Sequence, residues 1–149
     1  CEHPVVIVMA TPRTLAEPKF ADLKQRFNEN AVIYPVTCAG LMEYVEQGIL
    51  EGEELDSFLH ELLDPYLAMN PTGIVLGCTH YPFVRDMIAK VAGPDVTLYD
   101  GAGGTARELL RRLNEAGLSR ETDHEGKVSF LNSSPDPERI ALSWRLFNN

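Results

Sequence analysis

The sequence predicts an α/β fold, a mostly parallel sheet with helices on both faces. Two observations predict it. Short apolar, β-branched runs alternate along the chain with segments whose apolar residues recur at helical spacing. Such runs also break into polar loops that carry reactive side chains, as the carboxyl ends of parallel strands do. At 149 residues the chain is long enough for a real core.

The elements follow in order. Strands are predicted at Val5–Met9, Ala31–Val36, Gly73–Gly77, Val96–Tyr99 and Lys127–Leu131. Helices are predicted at Pro18–Asn28, Ala39–Gln47, Glu53–Ala68, Phe83–Ala92, Gly104–Ala116 and Pro137–Phe147. Leu55, Phe58, Leu59, Leu62 and Leu63 share one helical face, as do Ala106, Leu109, Leu110 and Leu113. Gly117 ends one helix, Asp136-Pro137 opens another as N-cap and first-turn proline, and Pro65 should bend or end its helix nearby.

Composition narrows the class. With 44% hydrophobic and 23% charged residues the chain reads as a globular protein, without a membrane-length apolar tract or a secretory signal pattern. A net charge of −9 argues against non-specific binding to nucleic acid or to anionic membranes. Cys1, Cys38 and Cys78 form neither a C-x-x-C pair nor a disulfide framework, so a reducing cytoplasm is expected. No His, Cys, Asp and Glu spacing reads as a zinc or calcium site, and His3 and His124 have no evident partners.

Three loops carry candidate chemistry. The first strand leads into Ala10-Thr11-Pro12-Arg13-Thr14, a candidate wall of a site, although Thr11 and Thr14 could equally cap the helix near Pro18. Cys38 follows the second strand as Cys78 follows the third, and spacing alone does not rank the two thiols. At Gly77-Cys78-Thr79-His80-Tyr81-Pro82 a strand breaks and a proline restarts a helix. The orphan N–H groups and dipole of that helix would favour a thiolate, with His80 as a group that titrates near neutrality.

Two further stretches have weaker readings. The carboxylates of Glu51-Gly52-Glu53-Glu54 suit the first turn of a helix, and His60 on that helix reads as a surface or packing residue. Asp100-Gly101-Ala102-Gly103-Gly104-Thr105-Ala106 matches Gly-x-Gly-x-x-Ala between a strand and a helix, a dinucleotide-binding cue that also suits a carboxylate or a plain turn.

The string Gly77-Cys78-Thr79-His80-Tyr81-Pro82 resembles the second catalytic cysteine motif of the glutamate racemases, within the aspartate/glutamate racemase superfamily. The resemblance implies cofactor-independent, two-cysteine racemisation of glutamate, supplying D-glutamate for bacterial peptidoglycan, with no metal. It places Cys78 as one of the two proton-transfer groups, His80 as its assistant, Glu46 as the acidic residue poising His80, and Thr79 on the substrate carboxylate. A Thr-x-x-Thr loop like that of the family is kept at Thr11 and Thr14. Glu17 and Phe20 stand where the family usually has serine and tyrosine, and Ala39 stands where it commonly has proline.

On this resemblance, residues 1–96 form one full racemase-type domain, and residues 97–149 are the return segment of a partner domain otherwise absent. The aspartate-serine-glycine and Cys-Asn-Thr motifs of the family's first domain do not occur here. The faces of Thr105–Leu113 and Ile140–Phe147 should therefore lack core partners, and either a missing half or another copy of the chain is expected to complete them. Two rivals stay open: a non-catalytic phosphate- or nucleotide-binding domain using Asp100–Thr105, and a single-cysteine hydrolase or transferase using Cys78 and His80.

Overall fold

The computed structural model describes residues 3–120 and 126–148, so Cys1 and His124 lie outside the described residues. The chain divides into two compact units between Asp100 and Gly101. In the first, β1 (Val5–Ala10), β2 (Val32–Thr37), β3 (Gly73–Leu76) and β4 (Thr97–Tyr99) form an all-parallel sheet in the order β2-β1-β3-β4. The register pairs Ala10 with Thr37 and Met9 with Leu76, so the residues that follow each strand emerge together at one edge. That edge brings Thr11, Cys38 and Cys78 to one end of the sheet.

Between these strands lie α1 (Pro12–Ala16), α2 (Pro18–Phe27), α3 (Leu41–Glu46), α4 (Glu53–Leu67) and α5 (Arg85–Ala92), with a 3-10 turn at Tyr81–Val84. The step from β1 to β2 runs opposite to the steps toward β3 and β4. Right-handed crossovers therefore set α1 and α2 on one face and α3 to α5 on the other. The second face holds the core. Ile7, Met9, Ile74 and Leu76 are buried with Leu55, Leu59 and Leu63 of α4 and Ile88 of α5, while Val6, Val8 and Val75 on the other face are only half-buried. α4 carries Pro65 in its last turn, where it has no N–H for the preceding turn, and ends two residues later at Leu67.

In the second unit α6 (Ala102–Glu115) and α7 (Pro137–Phe147) are the helices, and neither buries a residue. Leu109 and Leu110 are 59% and 58% exposed. Phe130, Trp144 and Phe147 stack edge to face, with ring centroids 4.8, 5.7 and 6.1 Å apart. α6 closes with Gly117 at φ +65 while Leu118 N–H donates to the Leu113 carbonyl. Asp136 caps α7 by accepting the Glu138 N–H, with Pro137 in the first turn.

Three expectations are corrected. Residues 127–131 form no strand, because a strand needs a neighbour for its backbone ladder and no other strand is found among the described residues of this unit. The loop after β1 contains a short helix, α1, whose first-turn proline is Pro12 and whose N-cap is Thr11. The predicted helix after Cys78 is preceded by a 3-10 turn, so α5 itself begins only at Arg85. Among the described residues, no helix is long and apolar enough to cross a membrane.

Candidate active site

Gly77 explains why the chain can deliver Cys78 where it does. Its N–H donates to the Met9 carbonyl at 2.7 Å, and a Cβ built on Gly77 would stand 2.7 Å from that same oxygen. Only glycine lets the end of β3 lie so close to β1. The next residues turn tightly, with the Tyr81 N–H donating to the Cys78 carbonyl. Tyr81 is wholly buried beneath the turn, and its hydroxyl lies 3.5 Å from the Cys38 carbonyl.

A second element brings the carboxylate. α3 is only six residues long, and Glu46 is its last. Gly48, at φ +72, stops the helix there: the Gly48 N–H donates to the Val45 carbonyl and the Ile49 N–H to the Tyr44 carbonyl. The result is a line of three groups. Cys78 Sγ lies 3.7 Å from His80 Nδ1, and His80 Nε2 lies 2.9 Å from Glu46 Oε1. A carboxylate can only accept, so it holds the proton on Nε2 and leaves the Nδ1 lone pair facing the thiol.

The two thiols are now distinguishable. Cys38 is 2% exposed, its Sγ donates to the Val36 carbonyl, and burial pushes its thiol up to about 12. It stays protonated near neutrality, as a buried thiol should. Cys78 is half-buried and has an imidazole beside it.

Other candidate residues are placed as follows. Thr79 is exposed on the same turn. Thr11 and Thr14 hydroxyls meet each other at 2.9 Å, with Thr11 Oγ1 also accepting the Thr14 N–H, so the pair does cap a helix, though α1 rather than the one at Pro18. His60 lies on the exposed side of α4 at 3.0 Å from Asp64. Among the described residues, no three His, Cys, Asp or Glu side chains are grouped as metal ligands. A cavity of about 320 Å³ lies at the opposite end of the sheet from Cys78, lined by Asn70, Thr72, Asp95 and Val96 among others.

The glycine-rich stretch does not form a phosphate cradle. Gly101, Gly103 and Gly104 have no left-handed backbone, and added side chains at Gly101 and Gly104 would meet nothing closer than 3.9 Å. The fingerprint needs its glycines for a tight turn and close packing, and neither is present. The Asp100 carboxylate instead takes Arg85 Nη1 at 2.6 Å, while Arg85 Nη2 donates to the Leu98 carbonyl at 2.8 Å. Sequence reasoning passed over Arg85, because nothing in its spacing links it to Asp100.

Comparison with known proteins bears on these readings. No protein-family model matches the chain. The chain is 45% identical over 141 residues, 95% of its length, to a glutamate racemase of Clostridium perfringens strain SM101. To one of Clostridium botulinum strain 657 it is 43% identical over 96% of its length. Its homologues are glutamate racemases. The fold agrees: over 97% of the chain it superposes with a TM-score of 0.81 and 26% identity on the Francisella tularensis glutamate racemase solved with D-glutamate. The chain spans about half the length of these racemases, 54% of the Clostridium perfringens and Francisella tularensis proteins and 56% of the Clostridium botulinum one. These relatives do not favour the nucleotide-binding alternative.

Proposed function

We propose that this chain supplies one side of a cofactor-independent glutamate racemase, with Cys78 as one of its two proton-transfer groups. The observation that carries the reading is the series thiol, imidazole, carboxylate at the carboxyl edge of the sheet. Glutamate as the substrate is supported by the D-glutamate complex of the Francisella tularensis relative.

Inversion at an α-carbon needs an acid and a base on opposite faces. For one enantiomer, the Cys78 thiolate takes the α-proton as the C–H bond breaks. The electron pair delocalises into the substrate carboxylate, and a thiol on the far face gives the carbon a proton. For the other enantiomer the roles reverse. His80 accepts the Cys78 proton at Nδ1 between turnovers, and Glu46 holds the ring in the tautomer that can accept it. Thr79 offers a hydroxyl and an N–H to the substrate carboxylate, and Thr11 and Thr14 form a wall of the site. Donors aimed at the developing charge, in a site closed to water, lower the barrier to removing so weak an acid.

The far-face group comes from outside the described residues. Cys38 cannot serve, since its thiol is buried with Sγ donating to the Val36 carbonyl, and burial raises it too far to take the proton for the other enantiomer. It is supplied either by the length that the racemases carry beyond the match or by a second copy of the chain, and that same partner covers the open faces of α6 and α7. In this reading the catalytic domain runs through Asp100, because β4 completes its sheet, the residues from Gly101 on return into the partner domain, and the D-glutamate made in the cytoplasm serves peptidoglycan synthesis. The test is a chiral assay of glutamate with the chain joined to a racemase first half. Cys78→Ala should abolish interconversion and Cys38→Ala should retain it. Retention in the Cys78 variant, or loss in both, contradicts the assignment.

A further inference from the structure

The residue that fixes Glu46 on His80 is not on the turn that carries the thiol. A helix of six residues cannot hold its own direction, since isolated helices below about 12 residues are marginal in water. α3 is held by what it touches. Leu41 and Val45 are buried, and on a separate side the Tyr44 ring packs on Phe58 of α4 with centroids 5.2 Å apart. The Tyr44 hydroxyl donates to Glu54 Oε1 at 3.1 Å, in the first turn of α4. Gly40, at φ +97, sets the other end of α3 against the same Phe58, 3.4 Å from where its Cβ would be.

Residues two apart on a helix point roughly 200° away from each other about its axis. Tyr44 therefore faces α4 while Glu46 faces His80, and a rotation of α3 about its axis moves both ends of this crossbar together. Burial first, and the Glu54 carboxylate second, push the Tyr44 phenol above its usual range, so it remains a donor.

We propose that Tyr44, through its hydrogen bond to Glu54, is a positioning residue for the Glu46–His80–Cys78 series. Glu54 thereby acquires a role beyond complementing a helix dipole. The inference rests on the reading of Cys78 and His80 given above, but its test does not require racemisation.

The test is the rate of iodoacetamide alkylation of Cys78 at pH 7, resolved by peptide mass in the 149-residue chain. Cys38 serves as an internal control, because its burial keeps it unmodified while the fold is intact. Glu46→Gln should slow the reaction about tenfold, the low end of the roughly 10- to 100-fold range for groups that orient a reactive side chain, and Tyr44→Phe, which acts through Glu46, by less, about fivefold. The double variant should be no slower than Glu46→Gln alone, because the two act in series. Glu54→Ala should match Tyr44→Phe, whereas Glu54→Gln, which keeps an acceptor oxygen, should stay within about twofold of the parent.

A Tyr44→Phe rate equal to the parent, or a double variant slower by the product of the two effects, overturns the proposal. If Cys38 also reacts in Tyr44→Phe, the Glu54 pair decides, and equal rates for Glu54→Ala and Glu54→Gln overturn it. An unchanged rate in Glu46→Gln defeats the thiol–imidazole–carboxylate reading itself and this inference with it. Failure in the Tyr44 and Glu54 variants alone leaves that reading standing.

Discussion

His80 Nε2 lies 2.9 Å from Glu46 Oε1, although 34 positions separate the two residues. One sits on the turn after β3 and the other on the last residue of a short helix. A carboxylate at the C-terminus of a helix faces the negative end of the dipole, an unfavourable place for it unless a cation or donor stands opposite. The imidazole N–H provides that donor. The contact therefore joins two elements and sets the state of the ring at once.

If Glu46 sets the tautomer, its removal should change pH-dependent chemistry before it changes stability. The pair is partly exposed, His80 by 26% and Glu46 by 46%, so the loss of folding free energy in Glu46→Gln should stay below about 1 kcal/mol. In the racemase assembled with its other half, kcat for glutamate should fall about 10- to 100-fold with little change in thermal midpoint. Parallel kcat measurements and thermal melts check this. A large drop in the melt with an unchanged kcat would mean that the contact is only structural.

Gly77→Ala should destabilise the first unit. The new Cβ would lie 2.7 Å from the Met9 carbonyl oxygen, a backbone atom in the middle of the sheet that has nowhere to go. Overpacking of this kind costs about 1–3 kcal/mol, and it also displaces the turn carrying Cys78. Urea unfolding should show a lower midpoint, and Cys78 alkylation should lose its selectivity over Cys38.

Leu59→Ala should cost about 2–5 kcal/mol, because Leu59 is wholly buried between α4 and the sheet and its loss leaves a cavity. Leu109→Ala, on the 59% exposed side chain of α6, should change the stability of the chain alone by less than about 0.5 kcal/mol. Denaturant melts of the two variants compare a filled core with an open face.

Alkaline pH should unfold the first unit progressively. Burial raises Cys38 from its ordinary 9.0 to about 12, and it raises Tyr81 above its ordinary 10.0. Between those limits the unfolded chain has released protons that the folded chain still holds. Stability is thus full below pH 9.0 and falls as pH rises toward about 12. Cys38→Ala should make that fall shallower, leaving the part due to Tyr81. Urea midpoints measured from pH 8 to pH 11, about the range in which thiols and phenols titrate, give the slopes directly.

Much of the fold was legible because local signals and tertiary packing agree. Asp136-Pro137 opens α7 at the expected residue, and the leucines of α4 at 55, 59 and 63 are buried together. Disagreement came where a segment's fate depends on its neighbours. Residues 127–131 have the β-branched and aromatic content of a strand, but they find no strand to pair with among the described residues. α1 is too short to show periodicity, and its only local mark, Thr11 before Pro12, reads equally as a loop. In the site, the six-residue motif at Gly77 pointed to Cys78 and His80, and Glu46 came only with the family resemblance. Spacing could not rank Cys38 against Cys78, because burial is a property of packing. Tyr44 went unmarked, and Glu54 read only as a first-turn carboxylate, for the same reason: their contact crosses the loop between two helices.

The central claim, that Cys78 carries the α-proton, is tested most directly by deuterium wash-in. Glutamate of each hand is incubated in D2O with the racemase assembled from this chain and its other half, and label at the α-carbon is followed by mass spectrometry. The parent enzyme should label both enantiomers and interconvert them, while Cys78→Ser should lose interconversion and the exchange of one enantiomer that depends on Cys78 as base. Undiminished exchange and interconversion in Cys78→Ser would contradict the account.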